Sequence, residues 1–383
     1  MRINNGFFGK VVKIIEQARA HVGRIADLAM CVTYFEVGRI IVEEEQGGKA
    51  RAKYSRGLLK ELSSFLGERF GKGYSVSTLT NARKFYQAYA PAISQTLFAK
   101  LEAGKTAKKS QTLFAKFKSK GVALTGQALS AEAYPFTLSW SHYLILMRID
   151  NEQERRFYEI EATRQQWTFR QLQRQYGSSL YERLALSRDK GEVMKLTKEG
   201  QTIEKSRDML KNPLVLEFLG MDERAKYSES ELETAIISKL QAFLLELGKG
   251  FLFEARQKRF TFNEEHFMVD LVFYNRLLKC YVLIDLKTDV LKHQDLGQMQ
   301  MYVHYFDRYV KTNDEHQTVG ILLCREKDDA IVELTLPEGE NIYASEYSLY
   351  LPDKALLQRK LAEWIEEFEE AKEILEATHG DGV

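Results

Sequence analysis

The chain is 383 residues long, which points to two domains, and its 44% hydrophobic content is ample for packed cores and excludes a disordered protein. Lys and Arg total 55 against 54 Asp and Glu, a formal net charge of +1, so any nucleic-acid surface must be a local patch. Cys31, Cys280 and Cys324 are scattered and read as buried thiols in a reducing compartment, with no C-x-x-C or His/Cys cluster for zinc. The N-terminal stretch lacks the apolar core and small-residue cleavage site of a signal peptide, and no run reaches the roughly 20 apolar residues of a membrane span. A soluble cytoplasmic protein without a membrane partner is expected.

In chain order, the first element is a helix over Phe7–Glu45, with Val11, Ile14, Ile15, Ala18, Val22, Ile25, Ala29 and Val32 on a 3.6-residue stripe. A second helix covers Arg56–Phe70 and ends at Gly71-Lys72-Gly73. Ser75 then caps a third, Val76–Tyr89, which is expected to stop before Pro91. Helix, short glycine turn, helix is the helix-turn-helix pattern, and the outward positions of the second helix offer nucleic-acid contacts. The candidates are Lys72, Thr78, Asn81, Arg83 and Lys84; the alternative is an ordinary helical hairpin with a solvated face. Residues 92–134 form a basic insert containing SQTLFAK twice, suited either to a phosphate backbone or to a solvated connector. Further helices lead from Trp140 through Met147, over Glu152–Arg164, and from Trp167 to about Ser187. His142 has no readable nucleophile or carboxylate partner and is expected to be a structural hydrogen-bonder.

Residues 188–211 turn polar and read as the linker between domain 1–187 and domain 212–352. After Asn212-Pro213 comes a short helix, then an amphipathic helix over Ser230–Leu247. A strand over Phe251–Phe260 follows, then two apolar runs, Phe267–Tyr274 and Cys280–Leu286, joined by a polar link: a β-hairpin signal. A helix within Asp289–Tyr309, a strand at Val319–Cys324, and strands at Ile331–Leu336 and Ile342–Tyr347 complete an α/β layout. Residues 353–383 hold a charged C-terminal helix.

Each run of the hairpin carries a carboxylate where a plain buried strand would carry an aliphatic residue: Asp270 and Asp285. Alternation puts Asp285 and Lys287 on one face, and Asp270 can be drawn beside them. Two carboxylates and an ammonium on an apolar surface are expensive to bury. The carboxylates suit a hard, oxygen-ligated cation such as Mg²⁺. The structural alternative is a buried ion cluster. On the amphipathic helix over Ser230–Leu247, Glu233 sits at the edge of the buried stripe, where it can reach the sheet or simply favour the helix dipole.

Asp270, then Asp285-Leu286-Lys287, then Gly297-Gln298-Met299 and Tyr302 resemble the PD-(D/E)XK nuclease core, and more narrowly the YhcG family. The N-terminal phrases YFEVGRIIVEEEQ, FGKGYS, FYQAY and LSWSHY extend that resemblance over nearly the whole chain. It implies a multi-domain protein: a mainly α-helical, helix-turn-helix-like N-terminal domain and an α/β restriction-endonuclease-like C-terminal domain. It further implies a metal-dependent nuclease, with Asp270 and Asp285 holding Mg²⁺ (or Mn²⁺) and Lys287 beside the attacking water and phosphate. Gln298 would orient water, ligands or phosphate, Glu233 would join the catalytic set, and Arg256, Gln257 and Tyr302 would meet nucleic acid. The family has Glu-x-Lys where this chain has Asp285-Leu286-Lys287; both spellings occur in the wider superfamily. DNA as substrate, a bacterial genome-defence or DNA-processing setting and a homodimer or higher homo-oligomer are the expectations. The alternative is a catalytically silent DNA-binding or scaffold protein, or a subunit of a larger nucleic-acid-processing assembly.

Overall fold

The computed structural model of the protein describes residues 5–47, 52–102, 134–188, 192–222, 226–337 and 339–363. Most of the basic insert and the end of the C-terminal charged helix lie outside the described residues. The chain divides into two compact units, 1–155 with 159–172, and 156–158 with 173–383. Among the described residues, no helix is long and apolar enough to cross a membrane.

The first unit is helical. Helix α1 (Asn5–Gly47) runs 43 residues, about 64 Å at 1.5 Å per residue, followed by α2 (Ala52–Phe70) and α3 (Val76–Glu102). Ser75 Oγ accepts the Thr78 amide at 3.2 Å and so caps α3, as its sequence position predicts. Helix α3 continues through Pro91 instead of stopping. Its first half is locked by buried Leu79, Ala82, Phe85 and Tyr89, and one missing N–H does not outweigh continued propagation. The α1–α3 crossing is set by Gly38: a Cβ there would lie 2.0 Å from the Ala82 carbonyl oxygen. That contact brings Phe35 against Phe85, which also meets Phe136 and Tyr143 at 4.9 and 5.1 Å. Two short helices follow, α4 (Trp140–Leu146) and α5 (Glu152–Arg164). His142 Nε2 lies 2.9 Å from the Trp167 carbonyl and Nδ1 lies 2.7 Å from Ser139 Oγ. Because Nε2 must donate to that carbonyl, Nδ1 accepts from the serine, and the ring is a structural brace.

In the second unit, α6 (Phe169–Gly177, from Gln173 onward), α7 (Leu180–Leu186) and α8 (Val193–Glu199) precede the sheet. The sheet holds β1 (Leu214–Val215), β2 (Phe251–Phe262), β3 (Glu265–Asn275), β4 (Cys280–Leu286), β5 (Val319–Cys324) and β6 (Ile342–Ser348). Its order is β1-β6-β5-β4-β3-β2, with β1, β6, β5 and β4 parallel and the β4–β3–β2 part antiparallel. On one face, α9 (Glu229–Ser238) and α10 (Leu240–Leu247) cover Leu271, Phe273, Val282, Ile284 and Ile321. On the other, α11 (His293–Tyr309) covers Val272, Leu283 and Leu322 through Leu296, Met299, Tyr302, Val303 and Phe306. Gly320 admits α11 closely, since a Cβ there would meet Met299 Sδ at 2.7 Å.

The amphipathic helix expected over Ser230–Leu247 is broken at Lys239 into α9 and α10. Residues after Pro213 form β1 and a 3₁₀ turn rather than a helix. The strand expected at Ile331–Leu336 is instead α12 (Asp329–Thr335), because Asp328 accepts the Ala330 amide at 2.9 Å and caps a helical turn. The polar stretch around 188–211 contains α8 and contributes Lys211 to a buried ionic network centred on Glu246. Glu246 Oε1 accepts from Arg183 Nη1 and from the Val215 amide at 3.0 Å, Glu246 Oε2 accepts from Arg174 at 3.2 Å, and Lys211 donates to the Glu246 carbonyl. Burial would push the Glu246 carboxyl up, but Arg183, Lys211 and Arg174 outweigh it and hold it down at about 2.

Candidate active site

The site forms where β3 and β4 part. Their pairing ends at Leu271–Ile284, and one residue beyond it Asp270 turns its carboxylate onto the end of β4, accepting the Leu286 amide on Oδ2 at 2.8 Å. Within β4, Cys280, Val282, Ile284 and Leu286 serve one core and Leu283 the other, so alternation sends Asp285 to the α11 side. Asp285 is 3% exposed. The Lys287 amide donates to the Leu323 carbonyl at 2.7 Å, so the main chain is still anchored to β5 where its side chain turns to Asp285. Lys287 Nζ stands 2.9 Å from Asp285 Oδ2 and 3.6 Å from Glu229 Oε1 at the start of α9.

The electrostatics follow from crowding. Burial and the neighbouring Asp270 push the Asp285 carboxyl up to about 7, against the pull of Lys287. Burial works against the Lys287 charge, but Asp285, Glu229 and Asp295 outweigh it and hold the ammonium above the ordinary lysine range. Asp285 Oδ2 is buried and receives no aligned hydrogen bond despite its ion pair. Two crowded carboxylates with an unsatisfied buried oxygen are a donor set that a hard divalent cation fits. Among the described residues, no three His, Cys, Asp or Glu side chains converge as a complete ligand shell, so water and phosphate oxygens would supply the rest.

The contacts that hold Asp270 and Glu233 in place centre on Gln257. Its side-chain amide donates to Asp270 Oδ1 at 3.1 Å and also to Glu233 Oε2. Its backbone is left-handed, φ +46°, in the middle of β2. Glu233 is 2% exposed and ion-paired with Arg256 at 2.9 Å. Gln298, exposed on α11, donates to the hydroxyl of buried Tyr302, and burial raises that phenol, with Asp285 and Asp270 adding to the shift.

The structure therefore brings Asp270, Asp285, Lys287, Glu233, Gln257 and Arg256 together, with Tyr302 and Gln298 on the covering helix. Arg256 and Gln257, expected to face nucleic acid, are engaged with carboxylates of the site. The other nucleic-acid candidates belong to the first unit. Lys72 and Lys84 are exposed, Thr78 and Asn81 are half-buried, and Arg83 is ion-paired with Glu45 at 2.9 Å. Sequence reasoning missed Glu229. Sitting just after the Ser228 cap of α9, it reads as an ordinary first-turn acid, and only the fold sets it against Lys287.

A mixed sheet between helices, with this carboxylate–lysine cluster at the ends of its central strands, defines a PD-(D/E)XK-type nuclease unit. The family profile described as the YhcG PDDEXK nuclease domain matches residues 207–362, and the DUF1016 N-terminal domain profile matches residues 10–183. The chain is 37% identical over 353 residues, 92% of both chains, to the Escherichia coli (strain K12) protein named "Putative nuclease YhcG". The chain belongs to the YhcG family. Two solved structures share weak likeness. One is a repair endonuclease from Pyrococcus abyssi, 20% identical over 34% of this chain, TM-score 0.23; the other is EndoMS bound to double-stranded DNA, 19% identical over 35%, TM-score 0.24. This chain spans about half of each.

Proposed function

We propose that the protein is a divalent-metal-dependent nuclease that hydrolyses phosphodiester bonds of DNA. The observation that carries this reading is the pair Asp270 and Asp285 beside a Lys287 ammonium 2.9 Å away, at the parting of two strands in a nuclease-family unit. Mg²⁺ or Mn²⁺ bound by the two carboxylates would neutralise charge on the scissile phosphate and lower the pKa of a bound water. Asp270 is fixed for this by the Leu286 amide and Gln257, which leave its carboxylate no freedom to turn away. Lys287, held protonated by its carboxylate neighbours, is a charge donor to phosphate oxygens rather than a proton acceptor. Gln298 and Tyr302 place an amide and a phenol on the covering helix, where they can orient water or phosphate.

DNA is favoured by the helix–glycine turn–helix of α2 and α3, with Lys72 and Lys84 exposed beside capping hydroxyls. Cutting both strands is most simply done by a two-fold dimer. Bacterial genome defence or DNA processing is the setting that such an activity suits. The test is cleavage of supercoiled and linear DNA in Mg²⁺, Mn²⁺ and EDTA, with the wild type beside Asp285→Ala and Lys287→Ala. Metal-dependent cutting lost in both variants is the expected result. Cutting that survives both would reject this site, and DNA binding without cutting by any protein would favour a silent binder.

A further inference from the structure

Helix α1 enters the first unit's core only from Cys31 onward. Cys31 and Val32 are fully buried, whereas every side chain described between Val12 and Asp27 is exposed. That free stretch is apolar along one side: Val12, Ile14, Ile15, Val22 and Ile25 are 47–66% exposed. The spacing Ile15, Ala18, Val22, Ile25, Ala29, Val32 alternates three and four residues, the repeat of a coiled-coil seam. Lys13, Glu16, Arg24 and Asp27 all fall on the opposite side of the helix, and Arg19 at its flank. A lone helix of this length draws its stability from covering such a stripe.

We infer that the N-terminal half of α1 pairs antiparallel with the same segment of a second copy of this chain. The inference deepens the two-fold reading above without depending on the chemistry of the site. An uncharged stripe backed by charges of both signs on the opposite face suits a copy of itself better than nucleic acid, which selects for one sign. The described part of the chain's own C-terminal helix, up to residue 363, is committed elsewhere: Leu357 and Leu361 are buried in the second unit, and Lys354 pairs with Glu182 at 3.2 Å. At the 30–40 Å² per residue of stable interfaces, the eleven seam and flank positions per copy between Val12 and Ala29 would cover roughly 700–900 Å² in total, the area of a weak, concentration-dependent dimer. Orientation follows from side-chain size. An antiparallel pairing centred near residue 20 sets Ile15 against Ile25 and small Ala18 against Val22. A parallel in-register pairing would stack Ala18 on Ala18 and leave a hole.

Light scattering on the size-fractionated full-length protein tests this. At high loading concentration the wild type is expected to approach twice the chain mass, falling to one chain mass in Ile15→Glu/Val22→Glu/Ile25→Glu with unchanged helical circular dichroism. A wild-type monomer, or a dimer that survives the triple substitution, overturns the inference. Should the triple variant misfold, oxidative cross-linking decides, since Cys31, Cys280 and Cys324 are buried and free. A mixture of Ala18→Cys and Val22→Cys chains is expected to cross-link, and Ala18→Cys alone is not; the reverse pattern overturns the antiparallel pairing. Both readouts are independent of nuclease activity, so failure here leaves the proposed chemistry standing, and failure of cleavage leaves the pairing standing.

Discussion

Replacing Glu246 by Gln removes the fully buried carboxylate that Arg183 and Arg174 share, leaving Arg174 its second partner, Glu217, at 3.0 Å. In the wild type this carboxyl is depressed from 4.5 to about 2, which corresponds to roughly 3 kcal/mol of stability. Because the folded-state value is lowered, that contribution is fully present above pH 4.5. It is eroded as pH falls below 4.5 and lost on passing through about pH 2. Leaving the fully buried Arg183 guanidinium without this counter-charge predicts a loss of the same order, about 3–5 kcal/mol, at pH 7. The assay is urea unfolding followed by circular dichroism at pH 7, 4 and 3 for wild type and Glu246→Gln. Acid effects common to both proteins cancel in the difference. The gap should be largest at pH 7 and narrow by about 1.4 kcal/mol per pH unit well below 4.5. A gap below about 1 kcal/mol, or one that stays constant from pH 7 to 3, would show that Glu246 is not the keystone of this packing.

Three further outcomes are expected. Asp285→Asn should abolish cleavage by about 10²–10³-fold while leaving the metal-free melting temperature unchanged or higher, because it removes a carboxylate whose ionisation burial and Asp270 oppose; a lower melting temperature would contradict this. Gln257→Ala should raise the Mg²⁺ concentration needed for half-maximal cleavage, since Asp270 loses a donor that fixes it, and Gln257→Asn should not rescue it because the shorter amide cannot span to both carboxylates. An unchanged Mg²⁺ dependence in both variants would remove Gln257 from the site. Gly38→Ala forces a methyl to 2.0 Å from the Ala82 carbonyl, so thermal unfolding of the helical unit should show about 1–3 kcal/mol of destabilisation.

The parts legible in the sequence are those where local pattern and tertiary packing agree. Alternation in β4 already separates Asp285 from Val282 and Ile284, and Ser75 announces the start of α3 by its capping position alone. Illegible features depend on distant partners. Arg83 reads as an outward cation until α1 brings Glu45 to it, and residues after Arg188 read as a solvated connector although Lys211 is 2% exposed. For Ile331–Leu336, apolar residues at 331, 332, 334 and 336 fit either period, and the Asp328 cap decides for helix while leaving Leu334 90% exposed.

The most consequential hidden feature is a slip of one residue in β2. Phe253 pairs with Phe273, but Ala255 pairs with Val272, so Glu254 is an extra residue in the ladder. Beyond the bulge, Arg256 faces Leu271 and Lys258 faces Val269, which sets Gln257 against Asp270. In the unslipped register Arg256 would stand there. A guanidinium on Asp270 would neutralise the carboxylate and compete with any cation, whereas a neutral amide orients it and leaves its charge intact. The bulge diverts Arg256 to Glu233 instead, and the left-handed backbone of Gln257 is a local cost of that arrangement. A strand that would otherwise have cancelled the site's charge thus serves to hold it open.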